Sequence, residues 1–257
     1  IRVRIISRNA NDTFDEAFFR RRVCYALNYR KTVMGPVDYR CCRLIFGEAD
    51  QFPGLTVDRF ENILVTQVLS LGMERRKDWV YRALVELLRE DGEQIDAIYE
   101  RNDVAIRTLE GLEQGKGFYQ MEGLKTDLSG HVTITENRIK YDVDYIEGQK
   151  TGFFLDQKYN RQAAAKLARG RRVLDCFTHT GAFALNAAAA GAEYVTAVDV
   201  SAFALELAAE NGGVELVHDE EDEEPELKTD IQDCRRCWCD TCGKLLPPCR
   251  AGTRGDD

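Results

Sequence analysis

VLDCFTHTGAF (Val173–Phe183) is the stretch that decides the predicted fold of this chain. Val173–Cys176 is a short apolar run typical of a strand, and Gly181–Ala190 is an alanine-rich segment that predicts a helix closed by Gly191. A second strand is predicted at Tyr194–Asp199. Strand, helix and strand in this order predict a βαβ unit whose first turn lies at the carboxyl end of the first strand, where open α/β sheets bind ligands.

The residues at the ends of these two strands indicate a nucleoside ligand. Asp199 ends the second strand, where a carboxylate can accept hydrogen bonds from both hydroxyls of an adenosine ribose. The turn Cys176–Gly181 holds one glycine, whereas a dinucleotide site needs G-x-G-x-x-G for its pyrophosphate. Its amides and the hydroxyls of Thr178 and Thr180 suit S-adenosylmethionine better than NAD. The alternative is a structural βαβ unit that binds no ligand.

A polar and aromatic run precedes this unit. GQKTGFFLDQKYNR (Gly148–Arg161) combines an aromatic pair with Asp156, Gln157 and Arg161. On its own it is also typical of a loop with Asp156 as a helix N-cap. Together with VLDCFTHTGAF and the acidic end of the second strand, however, it resembles the bacterial class I S-adenosylmethionine-dependent ribosomal RNA methyltransferases, which include a large-subunit cytosine-C5 methyltransferase. The resemblance covers about residues 1–211.

The resemblance implies a site for S-adenosylmethionine on this unit. It places Asp156, Gln157 and Arg161 over the methionine end of the cofactor and against the first strand, and it assigns the ribose to Asp199. The residues that it assigns to the cradle are Asp175, Phe177, Thr178, Thr180 and Gly181. His179 receives no catalytic role, no catalytic residue is identified, and the scattered histidines predict no metal triad.

The predicted elements and the composition divide the chain into domains, and the resemblance adds the PUA assignment of residues 1–8 and the RNA-seating role of residues 9–144. Residues 1–8 are expected to be the last strand of a mostly absent RNA-binding PUA domain, and residues 9–144 an α+β domain that seats RNA. Residues 145–214 are expected to form the first half of a Rossmann-like domain, and residues 215–257 a disordered acidic and Cys-rich tail. The predicted fold class is therefore α/β, the first half of a class I methyltransferase domain preceded by an α+β domain.

Hydrophobic periodicity predicts the elements of the middle domain. Helices are expected at Asp12–Arg30, capped by Asp12 or Thr13, and at Lys77–Arg89. Strands are predicted at Ile1–Arg8, Tyr39–Phe46, Leu55–Arg59, Ile63–Leu69, Ala97–Glu100, Ala105–Arg107, Gly117–Glu122, His131–Thr135 and Lys140–Val143. A helix capped by Ser201 is expected to follow the βαβ unit.

The net charge of −9 is unevenly distributed along the chain. Residues 1–45 carry +6 and residues 46–214 carry −8, whereas residues 215–230 carry another −8 and the remainder +1. A basic N-terminal segment is compatible with RNA, and the acidic run would repel it. Arg20, Arg21 and Arg22 are expected to form a solvated face with ion pairs, with a phosphate contact as the alternative. Arg101 and Asp103 are expected to form an ion pair at a turn, or else to line an RNA cleft.

Apolar runs and cysteines indicate the compartment. No run approaches the roughly 18 apolar residues of a membrane helix, and IRVRIISR lacks the apolar core of a signal peptide. Before the tail, Cys24, Cys41, Cys42 and Cys176 lie in predicted strands and helices as free thiols would, which is typical of the cytoplasm. We therefore predict a cytoplasmic protein with RNA, ribosomal RNA in particular, as its partner and with no membrane partner.

The C-terminal tail contains two C-x-x-C pairs. CRRCWCDTC (Cys234–Cys242) offers four thiolates to zinc, but a single residue separates the pairs, which leaves little chain to surround a tetrahedral ion. A disordered or out-of-frame terminus is therefore favoured over a zinc site.

These patterns predict an S-adenosylmethionine-dependent methyltransferase that acts on RNA. By resemblance the RNA is ribosomal and the target is C5 of a cytosine. The family's D-P-P-x-F-type segment and its later nucleophilic cysteine are not found, which leaves the activity of this chain open. The alternatives are a non-catalytic RNA-binding protein of the same fold and an NAD-dependent oxidoreductase.

Overall fold

The structure is a computed structural model that describes residues 3–212 and Thr229–Asp233. The chain divides into two compact units, Ile1–Lys158 and Tyr159–Asp257. The predicted domain boundaries stay a prediction.

A five-stranded sheet is the centre of the first unit. The strands of this unit are β1 (Cys41–Phe46), β2 (Leu55–Phe60), β3 (Ile63–Val68), β4 (Ala97–Asn102), β5 (Gly115–Phe118), β6 (His131–Glu136) and β7 (Ile139–Asp144). Its helices are α1 (Glu16–Val33), α2 (Pro36–Tyr39), α3 (Leu71–Glu74) and α4 (Lys77–Glu90), with 3-10 turns at Gly47–Asp50, Ala105–Glu110 and Leu155–Gln157. The sheet has the order β1-β2-β3-β4-β5, in which β3 and β4 are parallel and the other neighbours are antiparallel.

Helices α1 and α4 supply the core of this unit. Apolar side chains of both helices are buried with those of the sheet in one cluster, which includes Phe18, Phe19, Val23, Leu27, Val80, Leu84, Leu88, Leu44, Val57 and Leu64. The burial of these side chains is the main favourable contribution to the stability of the unit. Helix α1 is also fixed by a buried ion pair, since Arg30 Nη2 lies 2.6 Å from Asp50 Oδ2 and Arg30 Nε donates to the Arg43 carbonyl at 2.7 Å.

Strands β6 and β7 form a separate hairpin whose turn chemistry is unusual. The two turn residues, Asn137 and Arg138, have φ of 53° and 67°. Two left-handed residues in a two-residue loop define a type I′ turn, which matches the twist of the flanking strands. Asparagine tolerates this region better than most residues, so the first position suits the turn.

The second unit contains a three-stranded parallel sheet. Its strands are β8 (Arg172–Cys176), β9 (Tyr194–Asp199) and β10 (Thr229–Asp233), in the order β10-β9-β8. Its helices are α5 (Lys158–Ala168), α6 (Ala182–Ala189) and α7 (Ala202–Gly212). The predicted βαβ unit is thus confirmed, and so is the predicted N-cap, because Ser201 Oγ accepts a hydrogen bond from the Ala204 amide at 3.2 Å.

Small side chains form the core of the second unit. Alanines of α5 and α6 pack with Val195 and Ala197 of β9, and Val173 of β8 packs against them. Val173 and Leu174 point to opposite faces of the sheet, as neighbouring residues in a strand do. Leu174 is 62% exposed. The described core therefore lies on one face of β8 and β9.

Most of the predicted strands of the first unit are confirmed, with shifts at their ends. The strand predicted at Gly117–Glu122 is found at Gly115–Phe118, and the strand predicted from Tyr39 begins at Cys41 because helix α2 precedes it. The predicted helix Lys77–Arg89 is α4.

Two predicted strands are wrong. Within residues 3–8 the structure has no strand, and a strand is stable only where a neighbour satisfies its amides and carbonyls. There Arg22 Nη2 donates to the Ile6 carbonyl at 3.2 Å, and Arg4 pairs with Glu110 at 2.7 Å. Ala105–Arg107 belongs to a 3-10 helix that ends at Gly111 with φ of 72°. Three apolar and basic residues are too few to separate a strand from a helical turn by period.

The cap of α1 and part of the tail also differ from prediction. Asp15, rather than Asp12 or Thr13, caps α1 by accepting a hydrogen bond from the Phe18 amide at 2.9 Å. Thr13 instead donates to Asp15, and Asp12 pairs with Arg21. In the tail that was predicted to be disordered, Thr229–Asp233 forms strand β10, because its backbone pairs with the parallel strand β9.

In the described part of the chain, no helix is long and apolar enough to cross a membrane.

The core of the first unit gives a test of the fold. Leu84 of α4 is fully buried, so Leu84→Ala should lower the free energy of unfolding by about 2–5 kcal/mol through lost burial and a cavity. The matched control is Leu109→Ala, whose side chain is exposed and which should cost less than about 0.5 kcal/mol. Urea unfolding followed by circular dichroism measures both, and equal midpoints for the two variants would contradict this packing.

Candidate cofactor site

The turn between β8 and α6 has an unusual backbone. Phe177, His179 and Gly181 have φ of 61°, 53° and 79°. Left-handed non-glycine residues are uncommon and persist where the surrounding structure holds them, often at ligand sites. The Phe177 side chain is 77% exposed, which leaves an aromatic ring in solvent at the carboxyl end of β8.

Asp175 holds this turn from within. Its Oδ2 atom accepts hydrogen bonds from the Thr178 hydroxyl at 2.6 Å and from the Ala184 amide at 3.0 Å. The Ala184 amide lies in the first turn of α6, where amides have no partner within the helix. Burial raises the pKa of the Asp175 carboxyl above its usual value, although the two hydrogen bonds oppose this shift. This carboxylate therefore joins strand, turn and helix.

Asp199 joins the ends of the two strands. Its Oδ2 atom accepts a hydrogen bond from the His179 amide and its Oδ1 atom one from the Ser201 amide, both at 2.9 Å. The Thr178 amide donates to the Val198 carbonyl at 3.0 Å, so the turn is also fixed to β9 through the backbone. Burial lowers the pKa of His179, an effect that the nearby Asp199 charge opposes.

Helix α7 packs on the other side of the turn. A Cβ atom added at Gly181 would lie 3.2 Å from the Cβ atom of Ala208, and the Asn211 side chain donates to the Thr180 carbonyl at 3.1 Å. Gly181 is therefore required both by its left-handed φ and by the close approach of α7. Sequence reasoning missed Ala208 and Asn211, although a polar Asn211 that ends an apolar helix was a usable signal.

The structure brings six of the predicted site residues together at the carboxyl ends of β8 and β9. These residues are Asp175, Phe177, Thr178, Thr180, Gly181 and Asp199. Thr178 and Thr180 are buried, and the Thr178 hydroxyl is engaged by Asp175. Their predicted contact with a cofactor through these hydroxyls stays a prediction.

The three residues predicted for the methionine end fall in different units. Arg161 lies on α5 of the second unit, where it is buried and its guanidinium carbon is 5.9 Å from the centre of the Phe183 ring. Asp156 and Gln157 belong to the 3-10 turn Leu155–Gln157 of the first unit, and the Gln157 amide donates to Asp156 at 2.9 Å. Their assigned roles also stay predictions.

Metal-ligand geometry gives no second candidate in the described ranges. There, no group of three or more His, Cys, Asp or Glu side chains could hold a metal ion. The cysteine pairs for which zinc was considered, Cys234–Cys242, lie outside the described residues.

Comparison with known proteins gives a family match and curated relatives for this chain. A family described as S-adenosylmethionine-dependent methyltransferase matches residues 118–219. The ribosomal RNA large subunit methyltransferase I of Pseudoalteromonas translucida is 41% identical over 211 residues, which is 82% of this chain and 51% of the relative. The protein of that name from Photobacterium profundum is 43% identical over 208 residues, 81% of this chain and 50% of the relative.

Solved structures show the same fold. A protein from Streptococcus mutans, described as a candidate SAM-dependent methyltransferase, aligns with a TM-score of 0.68 over 88% of this chain and 54% of its own, at 21% identity. A methyltransferase candidate crystallised as a complex with SAH gives a TM-score of 0.69, with the same coverage and identity.

The matches point to one family, and the curated relatives are matched over a similar share of their length. The chain spans about half the length of the curated relatives that it matches. The βαβ unit lies inside the matched range, and its Rossmann-like α/β fold agrees with the structural neighbours. At residues 118–219 the chain therefore matches the S-adenosylmethionine-dependent methyltransferase family.

Proposed function

We propose that the chain binds S-adenosylmethionine at the carboxyl ends of β8 and β9 and that this site serves methyl transfer to ribosomal RNA. The observation that carries the cofactor proposal is the position of Asp199. Its carboxylate ends β9 beside a turn that is held by hydrogen bonds to Asp175 of β8 and to Val198 and Asp199 of β9. A carboxylate at such a position is suited to the two hydroxyls of an adenosine ribose.

The other residues of the turn would support this contact in different ways. Two apolar side chains near these strand ends are exposed: Phe177 in the turn after β8, and Val200 directly after Asp199. Exposed apolar groups of this kind suit the faces of an adenine ring. Asp175 is assigned a positioning role, since its Oδ2 atom accepts two hydrogen bonds within the turn, whereas each oxygen of Asp199 accepts one. Asp156, Gln157 and Arg161 are proposed for the methionine end on the resemblance alone.

S-adenosylmethionine would supply the reactive methyl group on its sulfonium. The contribution of this chain would be to bind and orient the cofactor, and such positioning lowers the barrier by removing the entropy cost of bringing two reactants together. A target base has to be extruded from the RNA before it can reach a cofactor bound at the strand ends.

The RNA part of the proposal is supported by the relatives and by charge. The relatives bear the name ribosomal RNA large subunit methyltransferase I, and residues 1–45 carry +6. A ribosomal RNA substrate goes with a cytoplasmic location. C5 of a cytosine as the target stays an expectation from family resemblance.

Activity of this chain is itself part of the proposal. A methyl-transfer assay with radiolabelled cofactor and ribosomal RNA, run beside an RNA-binding assay, separates the enzyme from a non-catalytic RNA-binding protein. Binding of both ligands without transfer would favour the second function. An oxidoreductase is disfavoured because Gly181 is the only glycine in the turn Cys176–Gly181.

Replacement of Asp199 tests the cofactor site. Asp199→Asn removes the negative charge that would accept the ribose hydroxyls, and hydrogen bonds to charged groups contribute about 1.5–3 kcal/mol, so the dissociation constant should rise by at least about tenfold. Isothermal titration calorimetry with S-adenosylmethionine measures this change. The control is Glu193→Gln, directly before β9 and exposed, which should bind as the unchanged chain does. Equal affinity of a folded Asp199→Asn variant and the unchanged chain would contradict the assignment.

Two glycines provide a matched pair for the turn. Gly181 and Gly170 both have a left-handed φ, of 79° and 64°, but only Gly181 is crowded by Ala208, whereas a Cβ atom at Gly170 meets nothing within 4 Å. Each change to alanine should cost about 1–2 kcal/mol of stability for the left-handed backbone. Only Gly181→Ala should also weaken binding of S-adenosylmethionine, by severalfold, because it moves the turn. Thermal unfolding and calorimetry measure the two effects, and a parallel loss of affinity in both variants would argue against a specific role for the turn.

A further inference from the structure

A cavity of about 950 Å³ lies against α1 of the first unit, and none of the residues assigned to the cofactor lines it. Its walls are the segment of residues 5–9, the first half of α1 and part of the turn that follows β1. Its lining includes Arg8, Asp12, Arg22, Tyr25, Glu48 and Gln51. A space of this size can hold a nucleotide-sized ligand. We call it the α1 cleft.

The cations of the α1 cleft are only partly neutralised. Arg21 pairs with Asp12 at 2.9 Å, but Arg8 forms no ion pair in the part of the chain that the structure describes. Arg22 donates to the Ile6 carbonyl at 3.2 Å and to Gln51, neither of which carries charge. Its Nε atom is buried and has no hydrogen-bond partner among the described residues. The guanidinium groups of Arg8 and Arg22 thus have no anionic partner among the described residues, although Glu48 lies in the same lining.

Arg22 is also held in place. Its guanidinium carbon lies 5.0 Å from the centre of the Phe18 ring. Its two terminal nitrogens are held by hydrogen bonds to Gln51 and to the Ile6 carbonyl. Arg20, by contrast, turns away to Glu86 and Glu90, at 3.7 and 2.8 Å. The expected ion pairs are therefore found for Arg20 and Arg21, whereas Arg22 lines the α1 cleft and bonds to uncharged groups.

Exposed tyrosines continue the α1 cleft along the helix. Tyr25 lines the cavity and is 57% exposed, and Tyr29, one turn further, is 60% exposed. Residues four apart on a helix have Cβ atoms about 5–6 Å apart on one face. The Arg30 guanidinium carbon lies 5.2 Å from the centre of the Tyr29 ring. Single exposed apolar groups need no explanation, but two successive rings that extend from a cationic cavity do.

We propose that the α1 cleft and Tyr29 bind single-stranded RNA. Phosphates would lie at Arg8 and Arg22, and two successive bases would stack on Tyr25 and Tyr29. Non-specific recognition of single strands combines a cationic groove with aromatic rings in this way. The charge of +6 on residues 1–45 is complementary to a polyanion. This inference rests on the proposed function for its partner, RNA, and adds a binding surface distinct from the cofactor site.

The test uses the full chain and a fluorescein-labelled 10-nucleotide single-stranded RNA of mixed sequence, with fluorescence anisotropy at low salt. The double variant Tyr25→Ala and Tyr29→Ala should bind at least about tenfold more weakly, since each base stacked on an aromatic ring contributes a factor of this order. The corresponding double change to phenylalanine keeps both rings and should retain binding. Tyr159→Ala is the control, because Tyr159 is 57% exposed on the second unit.

Salt dependence separates phosphate contacts from stacking. Arg8→Ala should reduce the slope of log affinity against log salt by about 0.7, the value for one phosphate contact on a single strand, while the tyrosine variants should leave the slope unchanged. Absence of RNA binding by the unchanged chain would overturn the proposal and leave the tyrosines as a protein-binding surface. Equal losses in Tyr159→Ala and the double alanine variant would also overturn it.

Titration of the same samples with S-adenosylmethionine distinguishes this proposal from the proposed function. The tyrosine variants should bind the cofactor as the unchanged chain does, because both residues lie outside the cofactor site. Tyrosine-dependent RNA binding without any cofactor binding would support RNA binding at the α1 cleft and refute the cofactor site. Cofactor binding without tyrosine-dependent RNA binding would support the cofactor site and refute RNA binding at the α1 cleft.

Discussion

The hydrogen bonds that Asp175 accepts from Thr178 and Ala184 determine the shape of the candidate site. One carboxylate oxygen satisfies an amide at the start of α6 and fixes the middle of the turn, and negative charge at a helix N-terminus is favourable. With the turn fixed, Phe177 and Gly181 are held in left-handed conformations and the His179 amide reaches Asp199. Burial raises the pKa of Asp175, a cost of using a carboxylate inside the turn.

The sequence predicts this site as far as local pattern extends. Tyr194–Asp199 and the Ser201 cap were predictable because strand period, strand ends and helix caps are local signals. The burial of Thr178 could not be predicted from the sequence, because a turn residue is expected to face solvent unless its partner is known. The same limit explains the cap of α1, where Asp12, Thr13 and Asp15 are all competent and the structure uses Asp15.

Basic residues of the first unit show why charge alone is a weak guide to RNA binding. Arg101 pairs with Asp103 at 3.2 Å and donates to the carbonyls of Tyr145 and Gly148, so the ion pair expected at the turn is found. Arg30 likewise forms an ion pair with Asp50. These cations stabilise the fold, and only side chains left without an anionic partner contribute to binding of a polyanion.

We propose that the strand ends of the second unit form a working cofactor site in this chain. Direct calorimetric titration of the full chain with S-adenosylmethionine tests it, with NAD as the comparison ligand. We expect saturable binding of one S-adenosylmethionine per chain and no binding of NAD. Absence of heat with S-adenosylmethionine, from a sample whose circular dichroism shows folded protein, would contradict it.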